Sequence, residues 1–360
     1  MRLIKVLVYT RYSALGASSR LRILNNLGGM NSNFLPVVVP LLDNEYLKLL
    51  QSEGVFLLPI RVRSILRRLW STIFIRFFDC VLVEKEILPY FPASVELRLI
   101  GKGARVIYDF DDYINSLFRI YSLDRLIYGK ASKLTIIAKH ANWAITANAN
   151  LSKAILEGGA KRCSLLHTIP DTDSEPCRLA HLKKVGELSL IWVGQASTSA
   201  LLSAFLDKMS DFIVENNISI TTLGFSRSLR IRHSQFNHME WTIENERIAL
   251  GEADVMIMPL EDSVAGRYKS SFKIINALRS GVPFIASAIG ENVSLDLPSY
   301  CGVLVDSTES WRSAFRLYKN MGHITYHENA TLTKEYYKLN FENPGPRVEF
   351  SGIVHDVSMH

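Results

Sequence analysis

The sequence predicts an α/β protein of two doubly wound units, and three observations carry that prediction. Short β-rich apolar runs alternate with helix-length amphipathic stretches along almost the whole chain. A polar segment, residues 171–187, interrupts the alternation with Pro176, several charges and no clean period. The alternation then restarts at Leu188 and runs on past residue 320. Domain boundaries follow: 1–175, 186–330, and a tail of 331–360 that is read as packing back on the first domain.

In the first half, strands are expected at Ile4–Thr10, Phe34–Leu41, Cys80–Val83, Arg105–Phe110, Trp143–Thr146 and Ser164–Thr168. Helical stretches between them include Ser18–Leu27, Val62–Phe78, Ser132–Asn142 and Asn150–Leu156. In the second half, Leu188–Val193 ends in Gly194 and leads to a helix over Ser197–Asn216. Further strands are expected at Ile218–Leu223, Val255–Pro259, Pro283–Ala286 and Gly302–Val305, with helices at Ser271–Ser280 and Ser310–Met321. Two such units place a cleft beside the C-terminal ends of their sheets, where ligands of open α/β sheets bind.

Composition narrows the class. The chain has 360 residues, 48% hydrophobic and 21% charged, with a net charge of +6, so it can fold on its own core. Cys80, Cys163, Cys177 and Cys301 are far apart and form no C-x-x-C, which argues against a disulfide framework or thiolate zinc site. No apolar run is long enough to span a membrane, and Lys5 with Tyr9–Arg11 spoils a signal peptide. The expectation is a soluble cytoplasmic protein whose mild basicity suits anionic partners.

The most informative stretch is Pro259–Ser287. A buried strand runs into a polar loop, then into a helix opened by Ser270 or Ser271, then Gly281 and another strand. Lys269 and Lys273 are four apart, so both ammonium groups are expected on one face at the helix N-terminus. With the free backbone N–H groups there, they would make a site for phosphate or diphosphate. The alternative is a serine-capped helix with solvated lysines.

The run Arg267-Tyr-Lys-Ser-Ser-Phe-Lys-Ile-Ile-Asn-Ala-Leu-Arg-Ser-Gly-Val-Pro283 resembles the donor segment of GT-B glycosyltransferases, nearest to the bacterial family-4-like branch. That branch reads R-x-K-S-x-x-K-x-x-E-x-x-x-x-G-x-P. Val106-Ile-Tyr-Asp-Phe-Asp-Asp112 is similar to its D-x-D-D motif, and Trp192-Val-Gly194 to the opening strand and turn of its donor domain. Trp143–Thr146 and His167–Asp171 resemble the strands before the linker, so the likeness spans about Met1 to Tyr318.

The resemblance implies a retaining, metal-independent transfer of a hexosyl or related sugar, without cofactor, in bacterial surface-polysaccharide assembly. The donor is a nucleoside-diphosphate sugar and the acceptor a glycan or a lipid-linked one. Donor contacts would come from Gly194, Gln195, Trp241, Thr242, Lys269, Ser270, Ser271, Lys273 and Asn276. Lys269 and Lys273 would also stabilise the charge that builds on the leaving diphosphate. Gly194 would let the backbone approach the phosphates. Two positions depart from the pattern: Asn276 stands where the family has a ribose-holding Glu, and Gln195 where the wider family has a diphosphate-binding Arg. They leave open a nucleotide-sugar epimerase, or a catalytically silent protein that binds a membrane or a partner.

Asp109, Asp111 and Asp112 close an apolar strand, and clustered carboxylates repel, which raises one pKa and suits it to an acceptor hydroxyl. Asp111 is the choice for catalysis, with Asp109 and Asp112 as acceptor contacts. Helix capping and divalent-metal binding are the alternatives. Tyr12–Arg22 holds a glycine turn into a serine-capped helix, a second anion or sugar site that Arg20 can reach. Glu84 and Glu86 are candidates by position alone.

Segment 61–78 carries five arginines and no acid, and Val62, Ile65, Leu66, Leu69, Trp70, Ile73 and Phe77 form one stripe at 100° per residue. An interfacial helix on anionic lipid, at the inner face of the membrane, fits this pattern. A crossover helix with its stripe on the sheet fits better, because the segment lies between two strands. No aromatic platform supports nucleic acid as a partner. His233 with His238 and His323 with His327 lack a third ligand, so no metal is expected.

Overall fold

A computed structural model describes residues 2–30, 32–52, 58–171, 183–195, 198–225, 236–342 and 345–359. The chain forms two compact units. One gathers residues up to Ile169 with Tyr268–Ser270 and the 345–359 helix; the other holds the described residues of 170–267 and 271–342. Most of the expected linker, with Cys177, lies outside the described residues. The tail is divided: 331–342 group with the second unit and only the last helix with the first.

The first unit is a six-stranded parallel sheet, with β1 Ile4–Tyr12, β2 Phe34–Leu42, β3 Cys80–Glu84, β4 Val106–Phe110, β5 Trp143–Thr146 and β6 Cys163–Leu165. Their order is β2-β1-β3-β4-β5-β6. A parallel sheet is covered on both faces, so its inner strands read as unbroken apolar runs. In β1, Leu7 and Tyr9 face one core, with Val81, Val83 and Tyr108. Val6 and Val8 face the other, with Leu82, Ile107 and Ile145.

The 345–359 helix closes that second face with Phe350, Ile353, Val354 and Val357, a spacing that puts all four on one side. The first face is covered by helices that include Leu58–Thr72 and Lys133–His140.

The Leu58–Thr72 helix departs from expectation. Only Ile65 and Leu69 of the predicted stripe pack on the core; Val62, Leu66, Trp70, Ile73 and Phe77 are exposed. Beneath the helix lie Ser64, Arg68 and Thr72, each four residues from the next. The helix thus turns a polar stripe inward. Arg68, fully buried, donates to the carbonyls of Glu86, Ile87, Thr10 and Val39, and its guanidinium lies 5.2 Å from the Tyr9 ring centre. Those carbonyls compensate it, although burial still brings its pKa down to about 10.

The second unit is also a parallel sheet, with β7 Leu188–Val193, β8 Ile218–Leu223, β9 Phe236–Met239, β10 Val255–Met258, β11 Phe284–Ser287 and β12 Gly302–Val305. Their order is β12-β11-β10-β7-β8-β9. Edge strand β9 is the one that no apolar run announced. Among the described residues no helix is long and apolar enough to cross a membrane.

Candidate functional site

In the first unit the candidate residues sit at the C-terminal ends of β1, β3 and β4. Each aspartate there has its own cation. Arg22, not Arg20, reaches Asp109: its Nε donates to Oδ2 at 2.8 Å and its NH2 to Oδ1 at 2.6 Å. The same guanidinium donates to the Leu166 carbonyl and to Thr168 Oγ1, so this fork is satisfied in the interior. Lys85 Nζ lies 2.8 Å from Asp111 Oδ1, and Lys269 Nζ 2.5 Å from Asp112 Oδ2. Lys133 bridges Glu86 and Glu96 at 2.7 and 2.9 Å.

The pairing corrects the expectation for Asp111. Burial pushes its pKa up, but Lys85, then Arg22, outweigh this and hold it below the ordinary carboxylate value. Asp111 is a locked anion and a weak base. Asp109, Asp112 and Glu84 are raised, in each case chiefly by burial, with the Asp111 charge adding a smaller upward push. The aspartates are ligands for cations of the protein itself.

The serine turn after β1 is likewise already occupied. Ser18 Oγ and Ser19 Oγ donate to the Glu84 carboxylate at 3.0 and 2.6 Å, and the Arg11 amide donates at 2.7 Å. Ser18 makes no cap bond to the π-helical turn that follows. The anion held by the proposed second anion site is Glu84. Arg20 ties back to the Ala14 carbonyl at 3.1 Å.

The two lysines do not share a helix face. The helix runs Phe272–Ser280 with Ser271 as its cap residue, so Lys269 precedes it and belongs with the first unit. Ser270 goes with it. Ser271 gives no side-chain cap; its Oγ donates to Asn292 Oδ1 at 2.8 Å. The helix ends as the sequence implies, at left-handed Gly281 with φ 65°.

Lys273 stands in the first turn of this helix, with Nζ 4.9 Å from the centre of the Trp192 ring. Trp192, next to last in β7, explains Gly194 differently from the resemblance: a Cβ there would lie 1.9 Å from the indole. Gly224, at φ 71°, is tight against the Gly194 carbonyl, where a Cβ would stand 2.3 Å from its oxygen. Gln195 precedes the Ser199–Glu215 helix, its carbonyl accepting from Thr198 N at 2.8 Å and from Thr198 Oγ1.

Glu246 completes the group, a residue that sequence reasoning missed. Its Oε1 accepts from Asn276 Nδ2 and its Oε2 from Trp241 Nε1, both at 2.6 Å. Thr242 caps the Ile243–Glu252 helix that carries it, accepting from Asn245 N at 2.9 Å. The position lacking an acid at 276 is therefore bonded to one from the neighbouring helix. An acid in a helix first turn, five residues after Trp241, was the available signal.

No family model matches the chain, and no curated protein matches it by sequence. Solved structures do. A glycosyltransferase from Rickettsia africae matches over 100% of both chains at TM-score 0.66 and 12% identity. Anabaena HepE in complex with UDP and glucose matches over 98% of both at TM-score 0.64 and 9% identity. The fold is GT-B. The pneumococcal O-GlcNAc transferase GtfA, in complex with UDP and GlcNAc, matches 81% of this chain and 60% of its own at TM-score 0.59 and 11% identity. Both halves of this GT-B chain are therefore Rossmann-like, with the glycine turn after β7 and the helix of Lys273 in its second half. Among the described residues, no three His, Cys, Asp or Glu side chains converge as a metal site.

Proposed function

We propose that the protein is a retaining glycosyltransferase that moves a sugar from a nucleoside-diphosphate sugar to a glycan or lipid-linked acceptor in bacterial surface-polysaccharide assembly. The observation that carries this reading is Lys273 at the N-terminus of a GT-B second-unit helix, beside Trp192 and the Gly194 turn. The positive dipole end of that helix and the Lys273 ammonium favour a diphosphate there. They stabilise it more as its leaving oxygen gains charge, which is the differential binding that accelerates transfer.

Glu246, bonded to Asn276 and Trp241, supplies the acceptor oxygens for the donor ribose hydroxyls that a Glu at 276 would otherwise supply. UDP is the first nucleotide to try, because the complexes of HepE and GtfA contain it. No metal is assigned, since the lysine and helix end meet the leaving charge. The paired aspartates leave Asp111 as a fixed electrostatic group beside the acceptor, not as a proton acceptor.

Thermal unfolding with UDP, GDP, ADP and CMP, without metal, tests the donor site on the wild type and Lys273→Ala. A ligand at about 100 times its Kd stabilises by about 2.7 kcal/mol. One diphosphate should raise the melting temperature and lose that gain in the variant. No shift from any of them overturns the reading. Sugar transfer that survives EDTA separates it from a metal-dependent reaction.

A further inference from the structure

The inverted Leu58–Thr72 helix has a use that the transferase reading does not require. Its inner polar stripe is anchored through Arg68, so the outward orientation is fixed by buried hydrogen bonds. Outside, Val62, Leu66, Trp70, Ile73, Phe74 and Phe77 form one apolar strip; Trp70 is 67% exposed and Leu66 60%. Trp70 meets Phe74 edge-on, and Phe74 is in ring contact with Phe77. Leu35 and Val37 on edge strand β2 lie on the same face as Val39, which packs on the core beneath this helix, and both are exposed. A strip of this extent on one face marks an interaction surface.

Charge selects its occupant. Arg61, Arg63, Arg67 and Arg76 are all exposed on this segment, and residues 58–78 contain no acid. Arg61 is bonded to the Tyr46 hydroxyl and Arg67 to the Pro40 carbonyl, which holds both at the rim. At about 1.5 Å per residue the helix is too short to cross a bilayer, so a bilayer could meet only its outward face, in the plane. Aromatic and aliphatic side chains rimmed by arginines match the boundary between acyl chains and anionic headgroups.

We propose that this face docks the protein on an anionic bilayer surface. The test is co-sedimentation of the full chain with vesicles of phosphatidylcholine alone and of phosphatidylcholine mixed with phosphatidylglycerol. Binding should require the anionic lipid and weaken as salt rises. Leu66→Ser with Trp70→Ser should abolish it, and Arg63→Glu or Arg76→Glu should each reduce partitioning by about fivefold or more. Ile324→Ser, an equally exposed apolar site in the second unit, should bind as wild type does. Unchanged melting temperatures for these surface variants exclude unfolding as the cause. Failure of the wild type to bind anionic vesicles overturns the proposal, as does undiminished binding by the Leu66/Trp70 variant. A dimer in sedimentation velocity that this variant dissolves also overturns it, because the strip would then be a protein interface.

Discussion

The two sheets end in opposite electrostatic styles. At the C-terminal edge of the first, Asp109, Asp111 and Asp112 each hold a cation, while Glu84 takes three neutral donors. At the same edge of the second, among the described residues, stand Gly194 and Gly224, the Trp192 indole with the Lys273 ammonium over it, and the Glu246 carboxylate bridging two neutral N–H groups, with the Asp262–Arg267 pair exposed beyond β10. The first edge thus pairs its buried acids with cations of its own. A buried carboxylate needs a partner at once, so an acid-rich edge spends its cations on itself. On the proposed reading, the second edge offers a diphosphate a positive helix end and the Lys273 ammonium.

If the first edge is structural, breaking it should cost the fold most. Arg22→Ala leaves Asp109 buried without its fork, and removing one partner of such a pair costs about 3–5 kcal/mol. Urea denaturation measures it. Replacing both partners, with Arg22→Met and Asp109→Leu, should recover most of the loss, since the desolvated charge goes too. A single-variant loss within about 0.5 kcal/mol would mean that this pair is not the anchor described.

Lys273→Ala should do the reverse. Without ligand the stability change is expected to stay near the ~0.5–1 kcal/mol of a cation–π contact. With nucleotide at about 100 times its Kd, the ~2.7 kcal/mol of ligand stabilisation should vanish. Comparing melting temperatures with and without UDP separates the two effects. A variant that unfolds yet still binds would invert the assignment of roles.

Titration sharpens the contrast within the first edge. Asp111 has a folded pKa below its unfolded one, so its contribution is present above the usual carboxylate value and is lost as pH falls through the folded pKa. Asp109 is raised by burial; its contribution is complete below the unfolded value and is lost as pH rises through the folded one. Asp111→Asn should therefore flatten the acid limb of stability below the ordinary carboxylate value. Urea midpoints across that range would show it, and an unchanged limb would place the acid sensitivity elsewhere.

Most strands were legible because parallel strands are apolar on both faces: β7, β8 and β12 end where the runs end. Strand β9 was not, because Phe-Asn-His-Met at an edge offers no such run. Periodicity found the stripe of the 58–72 helix but could not say which side is inside. Ser64, Arg68 and Thr72 at spacings of four were the trace of the inner face, visible only once Arg68 has its carbonyls. Arg22 and Asp109 are 87 residues apart, so no local pattern joins them. Lys269 and Lys273 were misjoined because a helix that begins at Phe272 leaves Lys269 outside. In the second unit the glycines were legible as glycines, but Trp192 as the reason for Gly194 was not.

The smallest predicted effect tests whether Glu246 has taken over from position 276. If Asn276 were merely a lost acid, Asn276→Glu would restore the pattern that this segment resembles and strengthen nucleotide binding. The geometry argues otherwise: Nδ2 of Asn276 stands 2.6 Å from Glu246 Oε1, so a second carboxylate there would face the first. Like charges at that range repel, and the lost hydrogen bond adds to the cost. The expected result is a loss of about 1–2 kcal/mol in stability, with weaker UDP binding. Adding Glu246→Gln to Asn276→Glu exchanges the two roles and should return both quantities towards wild type. Tighter binding by Asn276→Glu alone would show that the carboxylate belongs on the 272–280 helix, and that Glu246 serves only to hold Trp241.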